Sequence, residues 1–326
     1  GAGSSSSNLA NSASQIAGVF SGYVWDAVSP GVRPIRGLPG GSLLGAASFN
    51  SGAYISGATS SRAGYVLLTD AVGNVSLALL PGGTPNVQSS GLSAKEQVVL
   101  SPMGASAVVF VPGQSSSLLL TNLPTAPQIQ PVSLFAAPTA LSVSDGGTLL
   151  IATANADGGI NVSSTARQGA VHFVTAVGRL GDMRFVGTGN GALIADAAKN
   201  VVWSVQDVTA GGSPQSIAAA ANGVNSPVGV AASYDGRWAV IANPSGTILR
   251  VSLTQPASIV AATCACAPDR LASLSGNTTF QITASGPGPM WLYQGDLPAP
   301  RTVFVPAVSG AGAALRLSSA MGRGGL

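Results

Sequence analysis

The hydrophobic residues of this chain come in short clusters, four to seven positions long, separated by Gly, Pro, Ser and Asn. Pro227-Val228-Gly229-Val230-Ala231-Ala232 is followed by Ser233-Tyr234-Asp235-Gly236 and then by Arg237-Trp238-Ala239-Val240-Ile241-Ala242. Two further clusters, Thr247–Leu253 and Ser258–Ala262, complete a set of four. Runs of this length bounded by turn residues predict β-strands, and Asp-Gly and Pro-Ser-Gly between them predict hairpins. A spanning helix needs roughly 20 consecutive apolar residues. The 48 uncharged positions between Glu96 and Asp145 are broken too often by Pro and Gly to supply one. Membrane-barrel strands run to about 9–11 residues with aromatic girdles; the clusters here are shorter and aromatic residues make up 5% of the chain.

The four-cluster set recurs. Copies begin near Thr139 and Met183, two precede them over 53–87 and 96–134, and one follows over 271–305. Fourth strands ending at Leu38, Leu92, Leu134, Leu180, Val224, Cys264 and Val305 give separations of 40 to 54 residues. A four-stranded propeller blade takes roughly 40–45 residues. The expected fold is therefore all-β, a propeller of seven four-stranded blades. Gly22–Ala27 and Val32–Leu38 are read as the last two strands of a further blade. Its missing inner strands are expected from Ala313–Leu317 or Gln15–Phe20, so that a blade shared between the termini closes the ring and removes its edges. Residues 1–20 are expected to form an arm, 21–306 the propeller and 307–326 a tail.

Composition narrows the function. The 326 residues include 14 Lys and Arg, 11 Asp and Glu and one His, for a net charge of +3, and charged residues are 8% of the total. So few scattered cations do not make a nucleic-acid-binding face. The Ser-rich start, the absence of an initial Met and the scarcity of charge suggest an extracellular or cell-surface protein whose leader has been removed. Weak surface charge also removes the repulsion that keeps proteins apart. Leu9, Ile16, Val19 and Phe20 are therefore candidate assembly residues, able to add to a neighbour's sheet edge.

The phrase Pro227–Ala231 with Asp235-Gly236-Arg237 and Ile241-Ala242-Asn243 resembles the repeats of bacterial YVTN/NHL-type surface propellers. Ser144–Gly147 followed by Leu150-Ile151-Ala152 is a second, looser match. Gly22–Asp26 with Arg33-Pro34-Ile35, and Cys264–Pro268 leading to Trp291-Leu292-Tyr293 and Val303–Pro306, are similar to phrases of secreted bacterial propellers. The resemblance implies a fold shared by binding modules, enzymes and assembly proteins alike.

Candidate chemistry is sparse. His172 lies in an outer-strand cluster with no acid beside it, and Glu96 is the only glutamate, so lactonase- or lyase-like catalysis is poorly supplied. No cofactor or metal is expected, because each Asp-Gly turn offers one carboxylate where calcium wants six to eight oxygens. Asn74, Asn161 and Asn277 head glycosylation sequons of the kind a Ser/Thr-rich chain contains by chance. Cys264 and Cys266 stand two apart, on one face if extended, and are read as a local disulfide at a bulge, a pair of free thiols, or a redox or intermolecular pair. Lys95, Glu96, Arg179, Asp182, Arg184, Asp269 and Arg270 are expected just before inner strands, on one face near the central channel, where they form a candidate ligand site.

Two functions follow. The first is a non-catalytic extracellular structural or adhesive propeller whose partners are copies of itself, other surface proteins or matrix. The second is a module that binds a sugar, peptide or cell-wall fragment on the charged channel face.

Overall fold

The computed structural model describes residues 20–37, 40–89, 92, 95–165, 170–254, 258–284 and 289–306. These form seven antiparallel sheets arranged as the blades of a propeller. Blade 1 comprises β1 (Phe20–Asp26), β2 (Gly31–Arg36) and β3 (Leu43–Leu44). Blade 2 runs from β4 (Tyr54–Ser60) through β5 (Tyr65–Asp70) and β6 (Val75–Leu79) to β7 (Asn86–Ser89). Blade 3 is β8 (Gln97–Leu100), β9 (Ala107–Phe110), β10 (Ser116–Thr121) and β11 (Gln128–Ser133). Blade 4 is β12 (Ala140–Val143), β13 (Leu149–Ala154), β14 (Ile160–Thr165) and β15 (Val171–Val177). Blade 5 is β16 (Leu180–Val186), β17 (Gly191–Asp196), β18 (Val201–Val205) and β19 (Gln215–Ala219). Blade 6 is β20 (Gly229–Ala232), β21 (Trp238–Ala242), β22 (Thr247–Ser252) and β23 (Ile259–Thr263). Blade 7 is β24 (Ala272–Ser273), β25 (Thr279–Gln281), β26 (Met290–Gln294) and β27 (Arg301–Val305). No helix among the described residues is long and apolar enough to cross a membrane.

The apolar clusters explain the architecture. Second strands such as β5, β9 and β13 are buried along most of their length, because each blade is covered on both faces by its neighbours. Such strands read as unbroken apolar runs, without the alternation of a half-exposed sheet. Outer strands such as β11 and β15 are exposed or half-buried at most positions. Each pair of neighbouring blades encloses its own apolar cluster. Leu193, Val202 and Val230 with Ile241 join blades 5 and 6, for example. The ring closes where Leu274, Leu292, Val303 and Val305 of blade 7 meet Val24 and Ile35 of blade 1.

First strands in blades 2, 3, 4 and 6 end at, or one residue before, a serine that is followed three or four residues later by a glycine. The amides of Gly64, Gly104, Gly147 and Gly236 donate to the carbonyls of Ser60, Ser101, Ser144 and Ser233. All four glycines have φ between 68° and 86°, the left-handed region that a side chain disfavours. The serine hydroxyls accept from Ala63, Ser106, Thr148 and Trp238 amides, which fixes each turn a second time. These turns gather on one face of the ring. Tyr65 Oη donates to the Gly104 carbonyl at 2.8 Å, and Thr148 Oγ1 to Asn190 Oδ1 at 3.1 Å.

Blade 1 departs from the expected strand assignment. β1 and β2 are not the last two strands: β3 follows, and β1 lies beside β4, the inner strand of blade 2. Tyr23 meets Thr59 and Ser61, whereas Trp25 meets Gly57, so β1 runs antiparallel to β4. Neighbouring first strands run parallel: the Gly181 α-carbon approaches Pro227 and the Val230 amide donates to Asp182. By direction β1, β2 and β3 therefore match second, third and fourth strands. The tail and the arm expected to supply a closing strand lie outside the described residues, as do Leu9, Ile16 and Val19. Phe20 opens β1 and tilts against Tyr23, ring centroids 4.7 Å apart.

Candidate functional site: the central channel

The first strands line a central cavity of about 500 Å3, of a size that takes a small molecule. Its charged lining residues are Arg62, Arg184 and Arg270. No carboxylate is among its described lining residues. The arginines are staggered along the axis. Arg62 sits in the β4–β5 turn at one mouth, Arg184 within β16, and Arg270 just ahead of β24 at the other mouth. Trp25 and Tyr234 add aromatic surface.

Each arginine is held in place. Arg62 Nη2 donates to the carbonyls of Ser275 and Gly276, both at 3.2 Å, and its guanidinium lies over the Tyr234 ring. It thus ties blade 2 to blades 6 and 7 across the mouth. The Asn277 side chain continues this tie, donating to Asp235 Oδ2 at 3.2 Å and accepting from the Asp235 amide at 3.0 Å. Arg184 Nε lies 3.2 Å from an Asp182 oxygen, and Arg270 Nε 3.0 Å from Asp269 Oδ1. Both pairs are at least partly exposed, so solvent screens them and neither holds the fold strongly.

The residues expected from sequence divide into groups. Arg184 and Arg270 line the channel. Arg179, Asp182 and Arg184 also line a second cavity of about 360 Å3 beside it, between blades 3, 4 and 5. Asp182 and Arg184 lie inside β16, where they were expected ahead of an inner strand. Asp182 there bonds the Met183 and Val230 amides, stitching blade 5 to blade 6. Lys95 and Glu96 precede β8, as Asp269 precedes β24, and Asp269 caps the Ala284 amide at 3.1 Å.

Sequence reading missed Arg62, Trp25 and Tyr234. Their only signal is position, since Arg62 and Tyr234 both stand in the turn that follows a first strand. His172 lies on the outer strand β15, opposite Ser164. Cys264 and Cys266 are disulfide-bonded to each other. They lie in the bend after β23, not along an extended strand, which is what allows positions two apart to meet.

No protein-family model matches the chain, and no curated protein does. Solved structures do resemble it. A streptogramin B lyase shares 15% identity over 78% of this chain and 83% of its own, with a TM-score of 0.56. A protein of unknown function from Desulfotomaculum acetoxidans shares 12% over 89% of this chain and 100% of its own, with a TM-score of 0.59. The β-propeller domain of Cps50 (Swd1) from Myceliophteria thermophila shares 10% over 78% and 88%, with a TM-score of 0.56. At these identities the likeness establishes the fold: the chain is a seven-bladed β-propeller. The same scaffold serves a lyase and a domain of quite different origin, so activity has to be argued from the channel.

Proposed function

We propose that this chain is a non-catalytic, extracellular binding module of the YVTN/NHL propeller type, and that its channel takes a small organic anion with an apolar body. The observation that carries this reading is the pairing of Arg62, Arg184 and Arg270 with aromatic surface on a wall free of described carboxylates. Guanidinium groups bind carboxylates through paired, charge-assisted hydrogen bonds. Low-dielectric walls strengthen them. A reaction is less well supported: the single histidine sits on an outer strand, and the acids near the channel are engaged by arginines or backbone amides.

The test uses benzoate and its neutral isostere benzamide. Benzoate is expected to raise the thermal unfolding midpoint of the full chain and benzamide to leave it unchanged. Arg184→Ala is expected to abolish the benzoate effect. Equal responses to the two compounds would count against an anion site.

A second reading, structural or adhesive self-association, is favoured by the outer strands. Val87, Val171, Phe173 and Phe304 are 61%, 47%, 62% and 54% exposed there, on strands bearing little charge. Light scattering across a range of protein concentrations tests it; a monomer throughout would count against it.

A further inference from the structure

The second cavity lies beside the channel, toward the face where first strands begin. Val99 and Arg184 line both spaces, so the two meet at Arg184. Among the described residues that line them, Arg179 belongs to the second cavity only. It immediately precedes β16, and Arg184 stands five residues further on, inside the strand. At about 3.3 Å per residue their α-carbons are up to about 16 Å apart, less the shortening at the bulge between Leu180 and Asp182. Apart from Asp182 the rest of the described wall is uncharged and mostly apolar. Phe110 of β9, Leu141 of β12, Ile160 of β14 and, from β16 itself, Leu180 and Met183 contribute to it.

Both arginines are positioned by the fold and keep nitrogens available to a ligand. The fully buried Asp196 accepts from the Gly178 amide at 3.1 Å and the Arg179 amide at 3.5 Å. The Arg179 carbonyl accepts from the Ala197 amide at 2.8 Å. Its backbone is therefore pinned while its side chain is exposed, and the guanidinium bonds no described residue. Arg184 donates to described residues through Nε alone, to Asp182, which leaves both terminal nitrogens for a ligand. Asp182 is the one carboxylate among the described lining residues. The Met183 and Val230 amides and Arg184 already meet its charge, so it calls for no cationic group on the ligand.

We propose that the second cavity binds a linear dicarboxylate. One carboxylate sits on Arg184, where the two cavities meet, and the other on Arg179 at the outer end. The alkyl spacer lies against Leu141, Ile160 and Met183. Guanidinium forks pair with carboxylates through parallel N–H···O bonds, and each methylene withdrawn from water strengthens binding about fourfold. A monocarboxylate leaves Arg179 unused, and a short diacid cannot reach both arginines. A zwitterion would bring a positive group to a wall whose one described carboxylate is already engaged. Arg184 as an anion-binding group rests on the channel reading above; the role of Arg179 does not.

Calorimetric titration of the full chain with diacids from succinate to sebacate, with the monocarboxylates of equal length and with benzoate separates the two readings. Affinity is expected to rise along the diacid series to a maximum. There it should exceed that of the matching monocarboxylate by about tenfold, the scale of one charge-assisted hydrogen bond. Arg179→Ala is expected to remove this advantage and leave benzoate unchanged. Ala140 lines the second cavity and, among the described lining residues, not the channel. Ala140→Leu is therefore expected to weaken the best diacid by about tenfold, again with benzoate unchanged. Equal affinity for diacids and monocarboxylates, or a diacid affinity that Arg179→Ala leaves intact, overturns the proposal. Benzoate binding without diacid binding overturns it too and leaves the channel reading in place. Diacid binding that depends on Arg179, with no benzoate binding, overturns the channel reading and supports the second site. Binding of neither overturns both.

Discussion

The guanidinium carbon of Arg62 lies 3.0 Å from the centroid of the Tyr234 ring, joining blade 2 to blade 6 across the mouth of the channel. Among the described residues, bonds such as Tyr65–Gly104, Asp182–Val230 and Asn277–Asp235 link neighbouring blades, whereas this pair reaches across non-adjacent ones and so constrains the ring as a whole. A cation over an aromatic face contributes about 0.5–1 kcal/mol when exposed, and Tyr234 is 41% exposed. Arg62→Ala also loses the bonds to Ser275 and Gly276. A loss of about 1–2 kcal/mol in urea unfolding is expected. Arg62→Lys, which keeps the charge but not the planar fork, is expected to recover only part of it.

Asp145 joins blades 3 and 4. Its Oδ1 accepts from Ser101 Oγ at 2.5 Å, the Met103 amide at 3.1 Å and the Ala105 amide at 3.3 Å. Asp145→Ala leaves these donors without their acceptor. It is expected to cost about 2–3 kcal/mol, read as a shift of the denaturation midpoint with the slope unchanged. An effect below about 0.5 kcal/mol would show that water replaces the carboxylate.

Gly57 has no room for a side chain. A Cβ there would stand 2.6 Å from Trp25 Cε3. Gly57→Ala must displace the indole, at a cost of about 1–3 kcal/mol, and is expected to shift the tryptophan emission. Unaltered emission would mean that Trp25 does not pack on β4.

The Asp235 carboxyl titrates below its ordinary value of 3.8. Burial, the largest single influence, pushes it up, but hydrogen bonds from Ser233, the Arg237 amide and Asn277, with the Arg237 charge, outweigh it. A depressed folded value stabilises the fold above pH 3.8, and that contribution is lost as pH falls through the folded value. Asp235→Asn is therefore expected to flatten the fall in thermal midpoint between about pH 4 and pH 2. An identical slope in the variant would remove Asp235 from the acid response.

Much of the wheel was legible because blades are covered on both faces. The short, unbroken apolar runs of β5, β9, β13 and β21, bounded by turn residues such as Asp-Gly and Pro-Ser-Gly, read as strands, and the four-cluster set recurred every 40 to 54 residues. The direction of β1 was not legible, since a strand reads the same either way until its neighbours are known. Nor was the role of Asp145: an Asp-Gly turn explains itself locally, and nothing in the sequence marks a bond to residues some forty positions away. Arg184 and Arg270 were found because charges are rare here. Arg62 and Tyr234 escaped because their partners lie in other blades.

The most direct test of the channel as an anion site is a crystal structure of the full chain with benzoate. The account predicts density for the carboxylate within hydrogen-bond distance of Arg184, Arg62 or Arg270 and for the ring against the channel wall. Benzoate bound only outside the channel, or a channel that stays unchanged at saturating benzoate, would contradict it.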